Sequence, residues 1–378
     1  MDRANIVIIG GGVVGCAVAR AVSERWNDVF LIERMPKLGM GASTRNSGVI
    51  HSGIYYPPGS LKAKWCVEGN RMLHEFCAAH NVSHRNCGKL VVAHSAEQEA
   101  ALEHLAENGR ANGVKGLRLV DRATIRAREP HIEASAALEV PSTGIVSAED
   151  LVKTLARIAA ERGANLLPRA RVVRIDARPD SLAVTIAEGD ASDPARGAEE
   201  TIEARCVINC AGLFADEIAA MLGNRNYRIY PVRGEYYELV RAKSYLVNNL
   251  VYPLPHTDGL SLGVHLTRTL WGTVLVGPTA DYIADKDDYE RNRLPVEEFV
   301  RRAKPMLPEL EAADLQLAYS GIRAKLLPPG HGGFADFVVT RDTNAPRAIQ
   351  LIGIESPGLT SCLAIAKYVA SLATEILN

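Results

Sequence analysis

The chain of 378 residues has no Cys-x-x-Cys pair, and its seven cysteines are odd in number. That argues against a disulfide framework and for reduced thiols in a cytosolic setting. No run of about 20 apolar residues occurs, so no integral membrane segment is expected. No amphipathic basic helix marks a membrane face, which leaves at most peripheral attachment at the inner face of a membrane. Neither charge sign is in excess: 43 Lys and Arg against 44 Asp and Glu give a net charge of −1, with the basic residues scattered. Nothing therefore points to a nucleic-acid partner. There is no internal repeat. Arg3 precedes an apolar run, but three consecutive glycines break it, so it reads as a strand and not as a signal peptide. The remaining composition, 47% hydrophobic and 23% charged, is that of a globular protein of about two domains.

The stretch from Asn5 to Arg34 organises the chain. Ile6-Val7-Ile8-Ile9 is a β-branched run without polar interruption, which reads as a buried parallel strand. Gly10, Gly12 and Gly15 then form G-x-G-x-x-G, followed by a small-residue helix pattern over Cys16–Ser23 and a second strand, Val29–Ile32. Gly10 permits the tight turn, Gly12 lets backbone approach a pyrophosphate, and Gly15 lets helix and strand pack closely. The helix start, with Val13 and Val14, offers free N–H groups to phosphate. Glu33 closes the second strand, where a carboxylate can accept from both ribose hydroxyls; Arg34 follows it. Glu33 argues against a 2′-phosphate and leaves FAD and NAD both open.

Further on, Gly39–Tyr56 is a loop of small and hydroxyl residues with a helix start expected near Ser43. Helices are expected over 59–80, 96–112, 121–127, 148–162 and 295–306. Residues 189–200 form a polar hairpin loop. Cys206-Val207-Ile208 is another buried strand that turns at Ala211-Gly212 into a helix, and a middle block from Tyr227 to Pro278 is β-rich. A last strand near 349–354 leads through Glu355-Ser356-Pro357-Gly358 into a final helix. The expected architecture is α/β, with a Rossmann-like nucleotide-binding domain formed by 1–88, 142–226 and 342–378. A β-rich substrate domain comprises 89–141 and 227–341. This return of the chain to the nucleotide domain is unlike an NAD dehydrogenase and favours FAD.

GGGVVG, ASTRNSGVIHSGIYYPPGS, VINCAGL, LGVHLTR, GIRA and the terminal ESPGLTS helix together resemble the D-amino-acid-oxidase-like FAD oxidoreductases. Within them, the chain is most similar to the L-2-hydroxyglutarate dehydrogenase and oxidase branch, from residue 5 to about 370. The resemblance implies FAD. It places Ser43, Thr44, Arg45, Asn46 and Ser47 around pyrophosphate and flavin, and Val172 against adenine by its backbone. It also places Ala211 and Gly212 at the second nucleotide turn, and Gly358, Leu359 and Thr360 at a helix start aimed at the flavin. Leu270-Trp271-Gly272 and Glu355 depart from the family pattern.

Oxidising a small 2-hydroxy carboxylate requires a carboxylate clamp, a base for the hydroxyl proton and a hydride acceptor. Arg323 is the candidate clamp, since a guanidinium grips a carboxylate bidentately. His51 and His265 are the base candidates, with His51 also a candidate covalent flavin tether. Tyr56, Arg233 and Tyr252 are candidate substrate contacts. An amine or amino-acid oxidase, or a non-catalytic FAD-binding subunit, are the alternatives. The electron acceptor stays open between oxygen, a quinone and an electron-transfer protein.

Overall fold

Residues 2–188, 199–255 and 262–378 are described by a computed structural model. The polar loop expected at 189–200 falls largely outside them, as do residues 256–261 of the expected β-rich block.

Strand Asp2–Ile9 is the axis of an eight-stranded sheet. It runs parallel to Val29–Glu33 on one side and to Glu199–Asn209 on the other. Asn165–Pro168 extends the parallel set beyond Val29–Glu33, and Ala348–Ile352 extends it beyond Glu199–Asn209. On the side of Glu199–Asn209 away from Asp2–Ile9, its first half pairs antiparallel with Leu182–Glu188, followed by Ala170–Ala177, and Val338–Arg341 flanks Ala348–Ile352; Asn165–Pro168 is the opposite edge. The unbroken apolar run at the start of the chain follows from burial on both faces. Ile6 and Ile8 pack among the helices Val13–Val22, Ala148–Glu161 and Gly358–Leu377. Val7 and Ile9 point the other way, toward Val172, Val184 and Ile218.

The helix Gly358–Leu377 is, among the described residues, the one long and apolar enough to cross a membrane. Half of its most apolar stretch is buried inside the protein. Cys362, Leu363, Ile365 and Val369 share a core with Ile6 and Ile8, which accounts for the apolar composition by packing.

A second sheet of nine strands carries the middle of the chain. Tyr230–Leu239 pairs antiparallel with the long strand Leu315–Lys325, setting Val232 opposite Arg323. His265–Arg268 and Val274–Gly277 form a hairpin, closed by a turn through Leu270-Trp271-Gly272 that leaves Trp271 exposed. Leu250–Pro253 runs parallel to Lys89–Ala93, with Tyr252 opposite Val91. A three-stranded sheet of Val49–Ile50, Gly144–Val146 and His84–Arg85 lies apart from these two in its pairing.

Two expectations change. No helix starts near Ser43: residues 34–46 form a succession of bends and turns. Asn46 Nδ2 donates to the carbonyls of Ser43 (2.7 Å) and Ala42 (3.1 Å), and its Oδ1 accepts from Gly48 N. A side chain that bonds local backbone competes with the helical ladder. Short strands Asn165–Pro168, Arg118–Asp121 and Asp281–Tyr282 also form where no apolar alternation announces them.

Candidate active site

A cavity of about 990 Å³ runs from the glycine turn after Ile9 to the strand Leu315–Lys325. At its nucleotide end the turn is built as the motif requires. A Cβ on Gly15 would stand 1.9 Å from the Gly10 carbonyl oxygen, so no other residue allows this packing of helix on turn. Gly10, Gly12, Val13 and Val14 line the cavity. Glu33 Oε2 accepts from Gly11 N at 2.7 Å and Oε1 from Met35 N at 2.8 Å. Each oxygen keeps lone pairs for ribose hydroxyls. Arg34 is held by Asp287 (2.6 Å) and stacks 4.0 Å from the Phe214 ring. Ala211 and Gly212, after Glu199–Asn209, line the cavity beside the first turn, with Ala211 packed against Gly10.

The loop after the second strand covers the middle of the cavity. Ser43 Oγ accepts from Val13 N at 2.8 Å and fastens the loop to the helix start. Arg45 lies over Tyr289, 4.3 Å from the ring centroid, and lines the cavity with Ser43, Asn46 and Ser47. Thr44 does not line it; its hydroxyl donates to Gly39 O at 2.8 Å and shapes the turn. At the start of the C-terminal helix, Gly358 and Leu359 reach the cavity. Thr360 does not: its Oγ1 accepts from His51 N at 2.9 Å, tying helix to loop.

The far end of the cavity gathers the remaining candidates. Arg323, His51, His265, Tyr56 and Tyr252 all line it. Arg323 donates to Thr279 O at 3.1 Å, and among the described residues no carboxylate forms an ion pair with it. Gly234 on the neighbouring strand leaves room for the guanidinium, since a Cβ there would stand 3.1 Å from both terminal nitrogens.

His265 Nδ1 lies 2.9 Å from the Gly263 carbonyl. A carbonyl can only accept, so Nδ1 carries the hydrogen and Nε2 presents the lone pair. The ring stacks on Tyr252 at 3.8 Å. Burial first, then the charges of Lys89 and Arg323, lower the His265 pKa to about 3, although the bond to Gly263 opposes this. His51 Nε2 lies 3.3 Å from Ser356 Oγ. Burial, Lys89 and His265 lower its pKa to about 3 as well. Both imidazoles are thus neutral around neutral pH, with a lone pair to offer, and the burial that keeps them so disfavours their protonated form.

Residues beyond the expected set share this end. Lys62 and Lys325 lie 3.0 and 3.6 Å from Glu355, which places the family-departing carboxylate in a buried three-membered ion cluster. Burial works against ionisation of Glu355, but the two lysines outweigh it and its pKa is lowered. Lys89 stands one side chain behind the wall: its Nζ donates to the Tyr55 hydroxyl at 3.0 Å and lies 4.8 Å from the Tyr252 ring centroid. The signal for Lys89 is a single lysine in the otherwise apolar strand Lys89–Ala93.

One expected contact is corrected. Arg233 is turned away from the cavity and consumed: Nε donates to Glu235 Oε1 at 2.9 Å, and its terminal nitrogens meet Asn292 O at 3.2 Å and Asp288 Oδ1 at 3.5 Å. Arg233 and Glu235 are two apart on one strand, so they share a face and pair. The Val172 side chain packs in the core with Val7 and Val184, while the contact expected of it with adenine is by its backbone.

These features define a dinucleotide-dependent enzyme whose second, charged chamber adjoins the cofactor. The family of FAD dependent oxidoreductases typified by D-amino-acid oxidase matches residues 5–372, and the chain belongs to it. The L-2-hydroxyglutarate dehydrogenase of Arabidopsis thaliana mitochondria is 35% identical, covering 98% of this chain and 83% of that protein. The enzyme of the same name from Escherichia coli K12 is 31% identical, covering 99% and 94%. Among solved structures, the L-α-glycerophosphate oxidase of Mycoplasma pneumoniae with FAD bound superposes with a TM-score of 0.87 at 25% identity, over 100% of this chain and 95% of that one. Glycine oxidase from Geobacillus kaustophilus shares the fold, with a TM-score of 0.82 at 20% identity over 99% and 95%. The chain is therefore an oxidoreductase with FAD as its cofactor, and the glycine turn, Glu33 and the cavity fit that group.

Proposed function

We propose that the protein oxidises L-2-hydroxyglutarate, or a close L-2-hydroxy dicarboxylate, to the 2-oxo acid. The observation that carries this reading is an arginine with no carboxylate partner among the described residues and a neutral, tautomer-fixed histidine in the same cavity. The relatives of that name at 31 and 35% identity support it. When bound, FAD supplies the hydride acceptor at its N5 position. Arg323 holds the substrate carboxylate bidentately and fixes which C–H bond is presented. His265 Nε2 takes the hydroxyl proton, so that charge does not build up on the alcohol oxygen. His51, secured to the C-terminal helix through Thr360, borders the same chamber as the second candidate base. Tyr56 and Tyr252 shape its walls.

The amine-oxidase alternative is disfavoured by charge. At this end Lys62 and Lys325 share Glu355, while Arg323 and, behind the wall, Lys89 form no ion pair with a carboxylate among the described residues. Such a chamber attracts a dianion and repels an ammonium group. Comparing L-2-hydroxyglutarate with L-glutamate, which has the same skeleton with an amine, is the direct test: only the hydroxy acid should reduce the flavin. Reduction by glutamate alone would overturn the reading.

The FAD-binding part comprises 1–88, 142–226 and 342–378, and the substrate part 89–141 and 227–341. Gly10, Gly12, Val13, Val14, Glu33, Arg34, Ser43, Arg45, Asn46, Ser47, Ala211, Gly212, Gly358 and Leu359 contact the cofactor, with Gly15, Thr44 and Thr360 holding the elements that do. We place the enzyme in the cytoplasm, attached at most peripherally to the membrane. Rates of flavin reoxidation by oxygen and by a soluble quinone separate the possible acceptors.

A pH dependence follows from the histidines. An unperturbed histidine base, with a pKa near 6.5, would lose about tenfold in efficiency for each pH unit below that value. Burial and neighbouring cations lower His265 and His51 to about 3. The sign is that of a base that stays unprotonated in acid, so kcat/KM should show no acid limb between about pH 5 and pH 8. An inflection near 6.5 in steady-state kinetics would show that the base is an ordinary exposed histidine.

A further inference from the structure

Lys89 is 2% exposed and has no carboxylate partner among the described residues. Burial disfavours its ammonium form and lowers its pKa to about 7, so a lysine kept there without an anion calls for a function. Its surroundings show where the charge is directed. One N–H donates to the Tyr55 hydroxyl at 3.0 Å, and the ammonium lies 4.2 Å from the Tyr55 ring centroid and 4.8 Å from that of Tyr252. Tyr252 in turn stacks on His265 at 3.8 Å. Lys89, Tyr252 and His265 thus form one contiguous stack at the wall of the chamber that holds Arg323. Tyr55 accepts from Lys89, which leaves its own O–H hydrogen free to donate, and Tyr55 lines the cavity.

Arg323 at the chamber wall and Lys89 behind it are thus two basic groups that no carboxylate among the described residues pairs with. A substrate with one carboxylate matches only the first. We propose that Lys89, acting through the Tyr55 hydroxyl, recognises the second carboxylate of a dicarboxylic 2-hydroxy acid. The inference rests on the hydroxy-acid reading above and adds the group that selects the length and charge of the substrate. Tyr55 touches the carboxylate; Lys89 is a positioning residue that polarises the phenol and supplies the counter-charge.

The test uses the FAD-loaded protein and two substrates: L-2-hydroxyglutarate and its 5-amide, which replaces the second carboxylate by a neutral group of the same shape. Anaerobic flavin reduction gives the ratio of their efficiencies. The intact protein should prefer the diacid by about 10- to 100-fold, the range for a hydrogen bond to a charged group. Lys89→Met should abolish most of that preference, and Tyr55→Phe should reduce it in the same direction. Calorimetric titration with glutarate, which cannot react, should show the same weakening without any turnover. Lys89→Met removes an unpaired buried charge at similar volume and is expected to fold with its FAD. Should it not fold, Tyr55→Phe decides alone. A variant that slows both substrates equally, with the ratio and glutarate binding unchanged, would overturn the proposal and make Lys89 structural. Oxidation of neither substrate by the unmodified protein would instead remove the functional reading, and this inference with it.

Discussion

Replacing Arg323 with alanine should lower the efficiency of flavin reduction by about 30- to several-thousand-fold, the kinetic equivalent of about 2–5 kcal/mol for losing one member of a buried charge-assisted pair. Arg323 borders the cavity, donates to Thr279 O at 3.1 Å and has no carboxylate partner among the described residues. Its removal therefore strands no protein anion, and the variant should fold. FAD content should be retained, because the glycine turn, Glu33 and the start of the C-terminal helix lie on other elements. Arg323→Lys keeps the charge but loses the planar fork, so it should fall between the two. Stopped-flow reduction of the purified, FAD-loaded variants measures this. Unchanged kinetics in Arg323→Ala would assign the arginine to the interface between the two sheets and displace the substrate from this end.

His265→Ala should reduce the rate constant for flavin reduction by about a hundred- to ten-thousand-fold, the usual contribution of a positioned general base. The substrate dissociation constant should change much less, since the carboxylate is held elsewhere. His265 differs from His51 in having its tautomer imposed by the Gly263 carbonyl, so its acceptor nitrogen is defined before substrate arrives. His51 lacks that constraint at Nδ1, which is buried and unpartnered, while Nε2 faces Ser356 Oγ. His51→Ala should therefore cost less than His265→Ala in the rate constant. The reverse order in single-turnover measurements would move the base to His51. In either variant a solvent-isotope effect on reduction reports whether O–H cleavage has become limiting.

Much of this arrangement is legible in the chain. The glycine spacing and Glu33 are set by local backbone geometry and by the reach of one carboxylate, so their positions follow from thirty consecutive residues. The alternation of Ile6 and Ile8 against Val7 and Ile9 already encodes a strand covered on both faces. The errors have physical causes. Arg233 and Arg323 are both arginines on strands, and what separates them is the partner: Glu235, two residues from Arg233, lies on the same face and neutralises it. The Arg-x-Glu spacing contains that information. The helix expected near Ser43 was overridden by Asn46, whose side chain satisfies the local carbonyls in a turn. Lys89 was visible as a charge in an apolar strand, but its meaning depends on Tyr55, Tyr252 and His265, which converge on it only in the folded chain.

The central claim is that a cofactor cleft and a cationic chamber together oxidise a 2-hydroxy dicarboxylate. Anaerobic titration of the purified, FAD-loaded protein with L-2-hydroxyglutarate tests it most directly, following flavin absorbance near about 450 nm and assaying the product. The account predicts complete bleaching, one 2-oxoglutarate formed per flavin, and no reaction with the D enantiomer. Bleaching by amines or amino acids alone, or a flavin that stays oxidised with every 2-hydroxy acid tried, would contradict it.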